Sequence, residues 1–568
     1  MIISLRFYKT AMDRQKKSCI LISSFNVSNL AGYLSNDEDF PFIDASVAPF
    51  GQVFQVLMQK EMPRHDIAVV WTHPEGIIKS FCDCMNFEKT DVDAIFKEVD
   101  VFASLLLGIR DKANVLFVPS WVVPSNYRGL GLLDMKADVG IANILMQMNI
   151  RLAENLKSAH NVYILDTQKW LCNAGKNAFN PKLWYMSKTI LGNEVFKHAT
   201  RELKSALNAM MGRSRKLIVL DLDDTLWGGI VGDLGWQNIK LGGHDPVGEA
   251  HVDFQKTLKA LTYRGILLGI VSKNEESVAL EAIHNHPEMV LRMNDFAGYR
   301  INWEDKAKNI VDLASHLNLG LQSVIFVDDN PVERARVREA VPEVFVPEWP
   351  EDKMLYKSAL LNLNCFDTPA ISSEDKNRTK MYLSEQKRID AKSEISSLDD
   401  WLKTLEMKIN VKKLNDSDLQ RTVQLLNKTN QMNLTTRRMT ESELLEWINH
   451  KDRQVWILRV SDKFGDSGLT GIISFEVFNG KGQIVDFVLS CRVMGRKVEE
   501  TMLGIAIQHA QSLHLEEVFA KYIPTDKNKP CLDFWKKSGF ECNERENVFY
   551  WKLSNSYPLP SSVDVIQE

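Results

Sequence analysis

Leu217-Ile-Val-Leu220 is a run of branched apolar residues that stops at Asp221, and a second carboxylate, Asp223, follows one residue later. Consecutive apolar positions read as a strand buried on both faces, as in parallel sheets covered by helices. Side chains alternate along an extended chain, so Asp221 and Asp223 leave on the same side. They do so at the carboxyl end of a strand, where open α/β sheets gather ligands. The pattern recurs: Ile266-Leu-Leu-Gly-Ile-Val271 ends in Ser272-Lys273-Asn274, and Ser323-Val-Ile-Phe-Val327 ends in Asp328-Asp329-Asn330-Pro331. Helical patterns over 247–264, stopped by Gly265, and over 307–317 separate the runs. Strand, helix and strand in alternation, with polar chemistry at each strand end, predict a parallel-sheet domain over 206–365.

The residue types suit phosphoryl transfer, which needs charge neutralisation and positioning above all. Four acids clustered without a cation would repel one another, so Asp221, Asp223, Asp328 and Asp329 are the candidate ligands of a hard Mg²⁺ ion. Asp221 can act as an in-line nucleophile, and Asp223 can protonate the leaving oxygen and then deprotonate water. Thr225, Ser272, Lys273, Asn274 and Lys306 are candidates to hold the phosphoryl oxygens. The alternative is a set of structural carboxylates at solvated strand ends.

With 568 residues the chain exceeds one core, and two to four domains are expected. A net charge of −5 with no basic stripe gives no reason to expect a nucleic-acid partner. No apolar run is long enough to span a bilayer, and Met1–Cys19 lacks the apolar core of a signal peptide. The eight cysteines are scattered, and Cys82-Asp-Cys84 has the wrong spacing for a zinc knuckle. Reduced thiols in a cytoplasmic protein follow.

Upstream, apolar runs at 19–22, 66–71, 114–118 and 161–165 alternate with helical patterns such as 92–109, which predicts an α/β domain over 1–205. Polar residues follow its strand ends, at Ser23, Ser24, Asn26, His73, Ser120 and Asp166, but no G-D-S or G-x-S-x-G nucleophile signature stands there. It reads as scaffold or recognition surface. Residues 366–405 read as an exposed helical linker, with helix-start signals at Ser372 and Ser397. An α+β domain over 406–555 and a tail over 556–568 complete the chain. In it the strand 483–489 leads into Cys491-Arg492-Val-Met-Gly495-Arg496-Lys497 and a helix to Leu513. At a strand-to-helix junction beside two arginines, Cys491 is placed for a lowered pKa and acyl transfer; the alternative is a structural cysteine.

Asp221-x-Asp223-x-Thr225, Ser272, Lys306 (with Lys308 as rival) and Asp328-Asp329, in that order, resemble the four motifs of the haloacid dehalogenase (HAD) phosphotransferases. That resemblance implies the roles given above. No cap domain fits between the motifs, so the site is expected to be open and to suit a substrate presented on a macromolecule or covered by a neighbouring domain. Arg492-x-x-Gly495-x-Lys497 after a strand, with Asn528, Phe534-Trp535 and Gly539-Phe540, resembles the GNAT acyltransferases. There Arg492, Gly495, Arg496 and the helix N-terminus would bind a pyrophosphate or pantetheine arm. Lys497 replaces an expected small residue, and Trp535 a tyrosine common in that fold.

Together with Asn427-Lys-Thr-Asn-Gln-Met-Asn-Leu-Thr-Thr-Arg-Arg438, these motifs resemble the FkbH-like family, which joins a HAD domain to a GNAT-like domain. The resemblance extends more loosely over the first domain, as a non-hydrolytic SGNH-like α/β fold. It implies loading of a glyceryl unit from 1,3-bisphosphoglycerate, or a similar acyl phosphate, onto the phosphopantetheine thiol of an acyl carrier protein in polyketide-type biosynthesis. The alternative is a HAD phosphatase of another phosphorylated substrate whose GNAT-like domain only docks a carrier or partner.

Overall fold

The computed structural model describes residues 16–59, 61–369, 371, 373–393, 397–525 and 527–567. Residues 1–15 of the segment read for a signal peptide, and the start signal at Ser372, lie outside the described residues. No helix among the described residues is long and apolar enough to cross a membrane. The chain divides into two compact units: residues up to Asn208 with Thr440–Leu445, and Ala209–Met439 with the chain from Glu446 onward.

The first unit is built on strands β1 (Lys17–Ser23), β2 (Ile43–Val47), β3 (His65–Trp71), β4 (Ala113–Pro119) and β5 (Val162–Leu165), all parallel, in the order β2-β1-β3-β4-β5. Helices α1 (Ser28–Asn36), α2 (Val92–Ile109) and α3 (Ile141–Leu156) are among its crossovers. The apolar stripe of α2, from Ile95 to Ile109, is buried, as its 3.6-residue spacing requires. β2 was not foreseen, because Ile43-Asp-Ala-Ser-Val47 is mostly solvent-facing and carries no apolar run.

The second unit opens with β6 (Leu217–Leu220), α4 (Pro246–Thr262), β7 (Leu267–Ser272), β8 (Phe296–Ile301), α5 (Lys306–His316), β9 (Val324–Val327) and α6 (Pro331–Ala340). Its sheet is parallel in the order β8-β7-β6-β9, and every residue of β6, β7 and β9 is buried. Asp245, Asp305 and Asn330 cap α4, α5 and α6 by accepting backbone N–H bonds, which fixes where each loop at the ligand edge ends. β8 escaped the sequence reading because Gly298 and Arg300 interrupt its apolar pattern. The connections from β6 to β7 and from β7 to α5 contain short helices and β8 but no extra domain, so the sheet's carboxyl edge is uncapped, as expected.

The linker is helical, as α7 (Arg378–Ser393) and α8 (Leu398–Thr404), but it is not an exposed spacer. Arg388 is 3% exposed and forms a bidentate pair with Asp462 at 2.7 and 2.8 Å. Arg378 donates to the Gly265 carbonyl at 2.8 Å, just before β7. The linker thus ties the two α/β parts of this unit together, which is why they do not separate as the sequence boundaries suggested.

The C-terminal part holds β10 (Met407–Lys413), α9 (Asp416–Lys428), β11 (Met432–Asn433), β12 (Arg453–Asp462), β13 (Gly465–Phe478), β14 (Lys481–Leu489), α10 (Val498–Ser512), β15 (Glu517–Lys521), α11 (Lys529–Lys537), β16 (Glu541–Asn543), β17 (Val548–Lys552) and β18 (Val563–Gln567). The main path is β16-β17-β15-β14-β13-β12-β10-β18, with β11 paired to β14. The parallel pair β14 and β15 bonds only over 482–484 and 518–520. Beyond that the strands separate, and β11 enters the gap.

Candidate active site

At the carboxyl edge of the β8-β7-β6-β9 sheet, the strand ends bring Asp221, Asp328 and Asp329 together, with one carboxylate oxygen from each within 4.8 Å of the others. Asp221 is 7% exposed and Asp328 fully buried. Lys306, at the start of α5, lies 2.9 Å from Asp221 Oδ2 and 2.7 Å from Asp328 Oδ2. Those two carboxylates hold the Lys306 ammonium firmly charged in spite of its burial. Burial and the adjacent Asp221 charge push Asp328 up to about 7, against the pull of Lys306. Lys308, the rival, pairs with Glu304 at 2.9 Å on the surface, away from the carboxylates that Lys306 meets.

The other Asp221 oxygen, Oδ1, is buried and has no hydrogen-bond partner. A buried anionic oxygen without a donor is costly, so something outside the protein chain is expected to meet it. Three carboxylates are the hard donor set that Mg²⁺ prefers, and Asp221, Asp328 and Asp329 fit that ion.

Asp223, expected as a fourth ligand, stands apart. Trp227 Nε1 and the Val231 N–H donate to its Oδ1 at 2.9 and 3.0 Å, and Asn274 Nδ2 donates to its Oδ2 at 2.8 Å. Burial raises its pKa, and the Asp221 and Asp224 charges add to the rise, while the Val231 and Trp227 bonds oppose it. These three donors fix the orientation of its carboxylate.

Several expected phosphate contacts are engaged elsewhere. Thr225 Oγ1 accepts from the Asp329 N–H at 3.1 Å and lies 3.3 Å from Asp329 Oδ1, so it orients a carboxylate. Asn274 is spent on Asp223, and Lys273 pairs with Glu333 at 2.7 Å. Ser272, the last residue of β7, is 2% exposed.

The sequence reading missed Lys353, which donates to the Asp224 carbonyl at 2.8 Å and sits 3.3 Å from Asp329 Oδ2. It also missed Arg334, whose guanidinium donates to the Asp328 and Asp329 carbonyls at 2.8 and 2.6 Å, and His251, 3.1 Å from the Thr225 carbonyl. Arg334 lies one helical turn past Asn330 and was open to inference. Lys353 and His251 are remote in sequence and carry no local signal. Around the open mouth Trp303 is 73%, Val332 72% and Ile230 51% exposed.

In the C-terminal part the expected pantetheine element is engaged by partners within the chain. Arg496 is buried, ion-paired with Glu385, and 3.7 Å from Asp462. The Gly495 N–H donates to Glu499 Oε1 at 2.7 Å, so a carboxylate of the chain itself occupies the place where an anion was expected. The gap between β14 and β15 is filled as well. Leu434 N–H donates to the Phe487 carbonyl, Ile523 N–H to the Leu434 carbonyl, and Asn528 Nδ2 to the Asn433 carbonyl. Of the three residues expected to hold an arm, Arg496 and Gly495 are therefore withdrawn by their partners, and Arg492 donates to Ser490 Oγ at 3.2 Å.

Cys491 is not at a helix start. It lies in a single 3₁₀ turn, Cys491–Val493, and α10 begins only at Val498, beyond reach of the helix dipole. Desolvation raises its pKa, and the neighbouring Arg492 and Lys216 cations only partly offset that rise. The expected lowering does not occur.

In the first unit two of the polar strand ends meet, with Ser24 Oγ 2.6 Å from His73 Nδ1. His73 borders a cavity of about 240 Å³ walled by Phe25, Trp71, Phe179 and Trp184. Desolvation lowers this histidine to about 4, so it is a neutral hydrogen-bonding group. Ser120 and Asp166 serve as backbone acceptors.

No protein-family model matches the chain, and no curated protein matches it. Among solved structures, the N-terminal part of protein BF1531 from Bacteroides fragilis, containing a phosphatase domain and crystallised with Mg, is similar. It is 27% identical, covers 63% of this chain and 95% of its own, and superposes with a TM-score of 0.57. A GNAT-family acetyltransferase from Staphylococcus aureus Mu50 matches 26% of this chain and 99% of its own at 13% identity and TM-score 0.21. PaiA N-acetyltransferase from Thermoplasma acidophilum, in complex with coenzyme A, matches 25% and 98% at 16% identity and TM-score 0.20.

Proposed function

We propose that this chain is a Mg²⁺-dependent phosphatase of the HAD type, coupled to acyl transfer, which loads a glyceryl unit from 1,3-bisphosphoglycerate or a similar acyl phosphate onto an acyl carrier protein thiol. The observation that carries the phosphatase reading is the buried, unpartnered Oδ1 of Asp221 among Asp328, Asp329 and Lys306. The B. fragilis neighbour, with its phosphatase domain and Mg, supports the same reading.

Held by Asp221, Asp328 and Asp329, Mg²⁺ would supply charge neutralisation for the transferred phosphoryl group. Lys306 fixes Asp221 through Oδ2, leaving Oδ1 to attack phosphorus in line. The phosphorus–oxygen ester bond breaks, and Asp223 gives its proton to the departing alcohol oxygen. Water then attacks the aspartyl phosphate, Asp223 takes a proton from it, and phosphate leaves with Asp221 restored. Asn274, Trp227 and Val231 keep Asp223 aimed throughout.

The acyl phosphate needs different treatment. Attack at its phosphorus would expel the carboxylate and discard the activated acyl group. A thiol must attack the acyl carbon instead, forming the thioester and expelling phosphate. Cys491, or the carrier's phosphopantetheine thiol directly, performs this step, and Asp221 removes the 3-phosphate. The open, apolar-rimmed mouth with Trp303, Val332 and Ile230 suits a substrate presented on a carrier protein.

A second reading has its own support: with Glu499 at Gly495 and β11 between β14 and β15, the C-terminal part serves as a docking module and Cys491 is structural. Incubation with Mg²⁺, 1,3-bisphosphoglycerate and holo-carrier protein, followed by carrier mass, tests the proposal. Wild type yields a dephosphorylated glyceryl-carrier. Asp221→Asn leaves the phosphate on, with the phosphatase rate reduced by about 10³-fold or more. Loading by Cys491→Ala at the wild-type rate would remove Cys491 from the scheme, and release of free 3-phosphoglycerate alone would overturn the coupled function.

A further inference from the structure

The sheet of the first unit reverses its direction of growth between β1 and β3. From β1 the chain adds β2 on one side, then returns past β1 to lay down β3, β4 and β5 on the other. The loops after β1 and β3 therefore leave to opposite faces. The crevice between them, at the carboxyl ends of the strands, is where open parallel sheets take small ligands. Ser24 and His73 stand in those two loops and tie them together. Ser24 Oγ lies 2.6 Å from His73 Nδ1, and the His73 N–H donates to the same oxygen at 3.0 Å.

His73 thereby becomes part of a wall of rings. Its centroid lies 6.2 Å from that of Phe25 and 5.8 Å from that of Trp184, and Phe25 lies 5.6 Å from Trp71, each pair edge to face. These four rings and Phe179 border the cavity of about 240 Å³. Sites for drug-sized ligands run to roughly 300–1,000 Å³, so the occupant here is compact. Ser24 is not in the cavity wall; it positions the imidazole and presents no nucleophile there.

Charge selects the occupant. Among the residues that line the cavity Glu75 alone carries a charge, since no lysine or arginine borders it and His73 stays neutral. Glu75 makes no hydrogen bond or ion pair among the described residues, and partial desolvation raises its pKa with no cation of the chain to offset it. Lys188, whose ammonium sits 5.0 Å from the Trp184 ring centroid, lines the adjacent cavity instead. A phosphate or carboxylate would meet a like charge here and no counter-charge. An ammonium group is attracted both by that carboxylate and by the aromatic faces, and its alkyl groups displace water from the apolar wall.

We propose that the cavity between the β1 and β3 loops binds a small alkylated ammonium ion, with its alkyl groups among Phe25, Trp71 and Trp184 and its charge balanced by Glu75. The site lies wholly in the first unit and does not rest on the phosphatase or carrier readings.

Isothermal titration calorimetry of the full chain tests this with choline and with the uncharged analogue in which carbon replaces its nitrogen. We expect choline to bind saturably and the analogue at least about tenfold more weakly. Glu75→Gln, at a side chain without hydrogen bonds, should weaken choline by about fivefold or more, and Trp184→Leu by a similar factor. Should Trp184→Leu lose its melting transition, Glu75→Gln and the analogue decide the matter. No saturable choline binding, equal binding of the two compounds, or choline binding unchanged in Glu75→Gln overturns the proposal. Glucose binding more tightly than choline, and losing that binding in Trp184→Leu, would overturn the ligand class in favour of a neutral polyol.

Discussion

Asp221, Asp223, Lys306 and Asp328 show how much chemistry adjacent residues declare and how much their surroundings assign. The two aspartates that follow β6 are chemically equal in sequence, yet one keeps a bare oxygen and the other receives three donors. In the proposed reaction that difference suits the first to act as nucleophile and the second as proton carrier. His251 is a further residue with a measurable consequence. Its Nδ1–H donates to the Thr225 carbonyl beneath the catalytic loop, and its Nε2 is buried without a partner. Desolvation holds its pKa near 4, against an ordinary value of 6.5. Between these values the unfolded chain binds the extra proton, so stability is full above about pH 6.5 and falls as the pH drops towards 4. The loss from this group alone should approach about 3 kcal/mol. Chemical denaturation of wild type and His251→Gln between pH 7 and 4 checks this; the variant's curve should be flatter, and parallel curves would refute it.

Among the elements, β11 is the most telling. Only two residues long, it supplies the backbone groups that β14 lacks where β15 turns away. The arrangement relies on Asn528, fully buried, which holds the Asn433 and Ile523 carbonyls and accepts from Tyr522 Oη–H at 2.7 Å. Asn528→Ala should cost about 2–3 kcal/mol by removing the donor to those two carbonyls. Urea melts measure the cost, and a loss under about 0.5 kcal/mol would mean that β11 is held by other contacts. The sequence flagged Asn528 as part of a closing motif, but nothing in it announced that 432–434 would lie between two strands. Two-residue pairings have no period to read.

Across the whole second unit, the segment read as a polar linker acts as a clamp. α7 bonds the edge of one sheet through Arg378 and the other through Arg388, whose partner Asp462 is 1% exposed. Removing one member of a buried pair strands the other charge, so Arg388→Met should destabilise the unit by about 3–5 kcal/mol. Calorimetry of the full chain checks this; an unchanged transition would make the clamp decorative. Such a clamp is invisible in composition, because Arg388 lies in a stretch as charged as any solvated helix and its partner is 74 residues away.

The chain alone declared whatever depends on neighbours in sequence. Apolar runs ending in Asp, Ser or Asp-Asp marked β6, β7 and β9 and put the candidate catalytic groups at one edge, because strand alternation and sheet direction leave few other placements. It also declared the open edge, since 221–272 and 272–306 have no room for a cap. Tertiary structure alone decided which groups are free to act. Thr225, Asn274, Arg496 and Gly495 are consumed by internal partners, Cys491 is desolvated, and Lys353 reaches Asp329 from well down the chain. Hydrogen bonding and burial join residues that are far apart along the chain, so no pattern of neighbours could have fixed them.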